Sequence, residues 1–385
     1  MLFLKLVFLN IFRAKLRSLL TIFGLIVAVM AFGLLQTVVN AWFAGSDAAS
    51  SSRLISRNAI SLVFSMPISY KDKLRAIDGV KEVSYSNWFG GVYKEPKNFF
   101  PQFAVDHNTY FDLYPEYLFK PDELLAFKRD RLGAAVGRKL AETHGWKIGD
   151  VIPIRGTIYQ GDWRFTLRAI FDGKDEGTIT RQFYFHYDYL NETVKKVAPR
   201  RGDSVGIFLV DIKDASRAAE ISRAVDDTFK NSLAETLTET EKAFQLGFVA
   251  QSEAIVLAIR VVSFVVIFII MTVVANTMAM TARERISEYA TLKALGYTPL
   301  FVGLLVFSEA MLLSLFGAGI GILLTFPVAS VFGAAVASVF PVFRVSTETL
   351  YLQLFCACVV GVVAAVVPGF RSANIKIVDG LRHRG

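Results

Sequence analysis

The sequence predicts an integral membrane protein with four transmembrane helices and a large extracytoplasmic α+β domain between the first and second spans. Three observations carry this reading. First, the composition is divided: 53% of the 385 residues are hydrophobic and 20% are charged, with a mean hydropathy of +0.44. That is too apolar for one soluble domain and too charged for a wholly embedded chain. Second, apolar runs at residues 18–46, 261–282, 294–343 and 349–370 supply four spans of about 20 helical residues if the third contains one helix and an outer turn. A polar block of about 210 residues separates the first run from the second. Third, charge is placed unevenly: residues 1–18 carry +4, residues 281–298 carry +1 and residues 371–385 carry +3, which together equal the whole chain's formal +8. The positive-inside rule puts these three segments in the cytoplasm and the polar block outside. The basic pI of 9.3 therefore reports membrane orientation, and nucleic-acid binding is excluded as its meaning.

Residues 1–17 mix Phe, Leu, Ile and Val with Lys5, Arg13, Lys15 and Arg17. This reads either as an amphipathic helix on the inner leaflet or as a plain basic flank that sets topology. The first span, 18–42, is expected to stay as a signal anchor, with Gly24 and Ala28 on one face and Trp42 at the outer interface. Residues 43–252 form the outer domain. Within it the pattern predicts helices at 70–77, 134–144 and 215–230, and strands at 80–85, 151–155 and 205–212. A hairpin is expected to turn at Gly161-Asp162, between strands at 157–160 and 163–171. The mixture argues for two α+β lobes, with residues 233–250 as a stalk helix running on into the second span. The remaining segments are a second span at 253–281, a cytoplasmic helix at 282–298, a third span at 299–328, an outer loop at 329–348, a fourth span at 349–370 and a cytoplasmic tail at 371–385. Gly317 and Gly321 permit close packing within the chain, and Pro327 is placed to end or kink the third span.

The polar handle of the membrane half is the hairpin between the second and third spans, where Arg283, Glu284, Arg285, Glu288 and Lys293 alternate with Ile286, Tyr289, Ala290, Leu292 and Leu295. A helix here has one apolar and one charged side, with Gly296 at its C-cap and Pro299 opening the next element. Two readings are open: an ordinary basic hairpin that fixes topology, or a docking helix on which a soluble partner pushes. Glu309 is the carboxylate deep within an apolar run; a functional role is the default reading, and against it stand pairing with a basic residue near the cytoplasmic side, capping of a short kink, or a neutral carboxyl. Cys356 and Cys358, the two cysteines, lie two apart in the fourth span and face different ways, so they are packing residues. His107, His144, His186 and His383 lack ligand spacing, and no catalytic or metal constellation stands out. No GxxxxGK[ST] loop occurs, so ATP hydrolysis by that device is absent from this chain.

The run from Asn276 to Pro299, NTMAMTARERISEYATLKALGYTP, resembles the coupling segment of the MacB, LolC/LolE and FtsX group of ABC-transporter permeases. Glu284, Arg285, Glu288, Leu292, Ala294, Leu295 and Gly296 carry the match. Residues 9–29 resemble that family's basic lead into the first span. Residues 367–385 resemble its closing segment, with Gly380 where an alanine usually stands before Leu381 and Arg382. The stretches 136–154 and 164–173 are similar, more loosely, to the MacB-type periplasmic core domain.

That resemblance implies a non-catalytic permease subunit in a bacterial inner membrane, multi-pass, with both termini cytoplasmic. A separate ABC ATPase would bind ATP and Mg, this chain having no cofactor of its own. Arg283, Glu284, Arg285, Glu288, Tyr289, Leu292, Lys293 and Gly296 become the candidate ATPase-coupling residues and Glu309 the intramembrane site. Other implied partners are a second permease copy or paralogue, membrane lipid, a periplasmic adaptor and an outer-membrane channel. The implied activity is mechanotransmission, in which ATP-driven movement of the hairpin reshapes the outer domain to export or extract a lipoprotein or amphipathic substrate. The alternatives are an FtsX-like regulator of a cell-wall hydrolase and a membrane-anchored sensor.

Overall fold

The computed structural model describes Val7, Asn10 and residues 13–175, 177–336, 340 and 342–378. Much of the 1–17 segment, part of the 329–348 loop and residues 379–385, which include Gly380, Leu381, Arg382 and His383, lie outside the described residues. The chain divides into two compact units: residues 1–42, 252–336 and 343–385 in one, and 43–251 with 337–342 in the other.

Among the described residues the membrane unit has four helices long and apolar enough to cross a bilayer. They are α1 (Lys15–Ala48), α8 (Glu253–Glu284), α10 (Pro299–Val336) and α11 (Thr347–Ala373), the intervening numbers belonging to the other unit and to the hairpin. Large apolar side chains such as Phe268, Leu323 and Phe370 are exposed, as suits helices facing lipid, while Val274, Ala310 and Ala364 are fully buried between them. Small residues set the close approaches: a Cβ on Gly317 would fall 2.6 Å from Leu25 of α1, and one on Gly321 would fall 3.1 Å from Val29. Pro327 neither ends nor interrupts α10, which continues to Val336. A polar tie crosses the bundle beside Gly33. The buried Gln353 amide of α11 donates to the Val29 carbonyl at 2.8 Å and to the Thr325 hydroxyl of α10 at 3.0 Å. Nearby, Asn40 donates to Ser346 at 2.9 Å and to Thr349 at 3.0 Å.

The second unit is built on a ten-stranded mixed sheet. Its strands in spatial order are β12 (Thr236–Thr240), β1 (Arg53–Asn58), β11 (Ile207–Ile212), β3 (Val80–Trp88), β4 (Gln102–Val105), β9 (Phe183–His186), β6 (Gly133–Gly137), β8 (Gly161–Gly173) and β5 (Tyr117–Leu118). The hairpin strand β7 (Val151–Gly156) also pairs with β8, and β2 (Met66–Pro67) pairs with β10 (Ser204–Val205) apart from this sheet. Alternate residues along one strand serve two cores, because side chains of period two point to opposite faces. Phe183 and Phe185 enter one core and Tyr184 the other; Ala134 and Val136 enter one and Ala135 the other. The two lobes expected from the mixed pattern are thus replaced by one continuous sheet with both faces covered. Helices α2 (Tyr70–Arg75), α4 (Arg138–His144), α5 (Tyr187–Val197) and α6 (Ala218–Phe229) contribute buried residues to the larger core. Helix α3 (Pro121–Arg129) and an aromatic group of Tyr110, Phe111, Tyr114 and Tyr184 fill the smaller one.

Three local expectations are corrected. Residues 134–137 belong to β6 and the helix begins at Arg138: the two alanines suit a helix, but here the small size of Ala and Gly lets the strand lie buried between β8 and β9. A Cβ on Gly137 would collide with the Thr180 backbone at 2.2 Å. Residues 157–160 are the turn of the β7–β8 hairpin, Gly156 pairing with Gly161, so the turn sits one segment earlier than the Gly-Asp pair indicated. The stalk is not one helix. Thr236–Thr240 joins the sheet beside β1, α7 (Glu241–Ala250) follows, and the chain breaks from helix at Gln251 and Ser252 before α8. The β-branched threonines favour the strand, and the Thr240 hydroxyl caps α7 by accepting from Ala243 N–H at 3.2 Å.

Candidate functional site

Helix α8 stops at Glu284 and a nine-residue helix, α9 (Ile286–Ala294), starts after one intervening residue. Between them Arg285 leaves helical geometry at φ −107°, ψ 17°. The far end of α9 is closed by a Schellman pattern: Tyr297 N–H donates to the Leu292 carbonyl and Gly296 N–H to the Lys293 carbonyl, both at 3.1 Å. Gly296 holds φ +93°, the left-handed conformation that this cap requires and glycine adopts at little cost. Pro299 then opens α10, with the Thr298 hydroxyl accepting from Phe301 N–H at 3.3 Å.

An ion-pair chain runs beneath α9. The Arg285 guanidinium donates to Glu309 of α10 at 2.7 Å and to Glu288, one turn along α9, at 3.0 Å. Glu288 is shared with Arg13 at 2.5 Å. Arg17 of α1 holds Glu284 through two bonds of 2.7 Å and donates to Thr281 at 3.3 Å. At the other end of α9, Lys293 donates to the carbonyls of Ala373 and Ile375 at 2.8 and 2.7 Å, where the last turn of α11 leaves acceptors unpaired within the helix. Burial disfavours charge on Arg285, but the groups facing it, Glu309 and Glu288 among them, outweigh that and hold its pKa above the ordinary value. Tyr289 lies under this guanidinium, 5.3 Å from ring centroid to Cζ, and its hydroxyl has no hydrogen-bond partner among the described residues.

The sequence-selected residues therefore divide. Arg285, Tyr289 and Glu309 are turned into the membrane unit, with Tyr289 only 1% and Glu309 3% exposed. Leu292 packs on the buried apolar cluster of that unit, and Glu284, Glu288 and Lys293 bond to other elements of the same chain. Arg283 and Gly296 face outward. The partnership of Arg13 and Arg17 with the hairpin has no signal in the sequence, since nothing local ties residue 13 to residue 288 or residue 17 to residue 284. Ser287 and Thr291 were also passed over, though with Arg283 and Leu295 they form an exposed stripe at four-residue spacing that the sequence does show.

Two polar clusters in the sheet unit also escaped the sequence reading. Arg53, at the start of β1, pairs with Glu241 and Glu116 at 2.7 Å each, donates to the Leu113 carbonyl and stacks 3.9 Å over Tyr114. His107 and His186 stack with ring centroids 4.5 Å apart, His186 bonding the Phe127 carbonyl at 2.7 Å. Among the described residues no group of His, Cys, Asp and Glu could hold a metal.

Residues 260–377, which span the hairpin and three of the four apolar helices, match the FtsX-like permease C-terminal family. The chain carries an FtsX-like permease domain. Relatives that match along nearly the whole chain include an uncharacterized ABC transporter permease of Methanocaldococcus jannaschii, 23% identical over 97% of this chain and 96% of the relative. Another is the uncharacterized ABC transporter permease YvrN of Bacillus subtilis, 23% identical over 99% of each. Solved structures similar to part of the chain include the periplasmic region of MacB from Actinobacillus actinomycetemcomitans, at 10% identity, covering 52% of this chain and 94% of that one with a TM-score of 0.37. The extracellular domain of YknZ from Gram-positive bacteria aligns at 12% identity over 49% of this chain and 98% of that one, with a TM-score of 0.33.

Proposed function

We infer that this permease is the membrane subunit of an ABC system that couples ATP hydrolysis by a separate subunit to movement of its sheet unit. The observation that carries the reading is α9 itself: a capped helix at the turn between two apolar helices, tied by side-chain bonds to elements on either side, in a chain with no phosphate-binding loop. A short rigid helix so tied passes a push to several spans together. The partner ATPase would dock on α9, and a second permease copy or paralogue would complete the assembly. Mechanotransmission then needs no path for substrate through the bilayer; a lipoprotein or amphipathic molecule would be moved on the side where the sheet unit lies. Adaptor and outer-membrane channel partners remain part of the proposal for a two-membrane cell.

The test is affinity capture of the full chain in mild detergent after co-expression with candidate ATPases. An ATP-hydrolysing subunit whose turnover changes on binding supports the reading. Capture of a kinase or cyclase without any ATPase makes the chain a sensor, and capture of a cell-wall hydrolase with no cargo moved makes it a regulator.

A further inference from the structure

We propose that Arg285 and Glu309 are positioning residues, whose ion pair, continued through Glu288 to Arg13, locks α9 onto the third span and the N-terminal segment. The stripe Arg283, Ser287, Thr291 and Leu295 is left as the face offered to the ATPase, so this inference rests on the functional reading above.

Burial separates the two sets. The Arg285 and Glu309 side chains are 11% and 4% exposed, and they reach each other at 2.7 Å from different elements. A docking protein cannot touch groups that the chain already covers. Glu309 stands about 15 Å along α10 from its first residue, a depth at which a carboxylate is stable only with a partner. Arg285 supplies that partner from the point where the backbone departs from helix. The covalent junction between α8 and α9 therefore provides the bend, and the fork of the guanidinium, holding Glu288 and Glu309 together, provides the stiffness. Arg13 and Arg17 add two further ties, at Glu288 and Glu284. Pushed from outside, α9 moves with α10 and the start of α1 as one body, and the bend at Arg285 is prevented from absorbing the displacement. The alternating charges that look like a contact surface in the sequence are mostly satisfied internally. The outward stripe carries one charge, Arg283, two hydroxyls and Leu295, which is 73% exposed.

The experiment uses the full chain in lipid nanodiscs with Cys356 and Cys358 replaced by alanine and a single cysteine at Ala290, which is fully buried under α9. Its rate of reaction with a charged maleimide reports how often α9 lifts. Arg285→Met and Glu309→Leu each raise that rate at least about tenfold, because one partner of a buried pair is left alone. The double variant raises it no further than Arg285→Met does, since the two act through each other. Arg285→Lys, which keeps the charge but loses the fork, falls between. Thr291→Cys, already exposed, reacts at one rate in every background. An Ala290 rate unmoved by both single variants, or additive effects in the double, overturns the proposal. Size-exclusion and thermal unfolding of each variant separate lifting of α9 from general unfolding, and the apolar double variant supplies a folded sample if a single variant does not. Capture of the ATPase is measured separately. If the wild type binds no ATPase while the Ala290 rates follow expectation, the functional reading fails and the positioning role stands. If ATPase binding is lost in Arg285→Met with no change at Ala290, the positioning role fails and the reading stands.

Discussion

Arg53 shows what one buried charge does in the sheet unit. It is 4% exposed and faces Glu241, Glu116 and the ring of Tyr114, while Glu241 also accepts from Ser50 N–H at 3.0 Å. The ties join the first strand of the unit to the start of its last helix. Arg53→Met keeps the volume but strands a buried carboxylate, so it is expected to cost about 3–5 kcal/mol, read as a lowered midpoint in thermal unfolding of the full chain. Replacing Glu241 with Gln in addition should restore part of that loss. His186 gives a pH dependence. Burial lowers its pKa from 6.5 to about 4; His107 adds to the shift, while the Phe127 carbonyl, Asp188 and Asp130 oppose it. Below pH 6.5 the unfolded chain takes up a proton that the folded one refuses. Stability from this site is therefore full above pH 6.5 and is lost as pH falls toward 4, to a limit of about 3 kcal/mol. Unfolding midpoints measured between pH 4.5 and 7 should drop on acidification, and His186→Phe should flatten that slope. A slope unchanged by the substitution would assign the pH dependence to other groups.

At the scale of elements, α9 offers the sharpest test of partner docking. Ser287 and Thr291 are exposed one turn apart, and a bulky cation there blocks a flat docking surface without disturbing the pairs beneath. Ser287→Arg is expected to reduce ATPase capture at least about tenfold, as loss of a central contact does, with the Ala290 maleimide rate unchanged. If capture is retained, the partner approaches some other element. The same helix shows what a sequence makes legible. The Gly296 cap, the Pro299 start and the apolar inner side are local signals, set by residues three or four apart, and they are readable in one pass. The partnership of Arg13 with Glu288 and of Arg17 with Glu284 joins residues far apart in the chain, and no periodicity carries it. The sheet unit fails in the same way. Ala134 to Gly137 leads directly into a helix and carries no strong strand pattern, and the flanking strands β8 and β9 make it a strand. Thr236 to Thr240 is extended because β1 is there to pair with it. The stretches with both faces buried, such as Phe183 to His186, lack the alternation that would have announced a strand.

For the whole molecule, the number of crossings decides which face of the membrane each unit meets. Helices α8 and α10 have 32 and 38 residues, about 48 and 57 Å, against a hydrocarbon core of about 30 Å, so each is long enough to cross once with turns to spare. If α8 crosses, the sheet unit before it and α9 after it are on opposite sides, and a push on α9 by an ATPase must act across the bilayer. Single cysteines at Thr291 and Lys147, both exposed, test this in a background with Cys356 and Cys358 changed to alanine. In right-side-out vesicles an impermeant maleimide should label Lys147→Cys and spare Thr291→Cys, and inverted vesicles should reverse the pattern. The positive-inside rule, applied to the basic residues at 13–17 and to Arg283 and Arg285, is the ground for expecting this sense. Labelling of both cysteines from one side would mean that α8 does not cross. The pinned hairpin would then act on a domain in its own compartment, and transmission through the spans would have no work to perform.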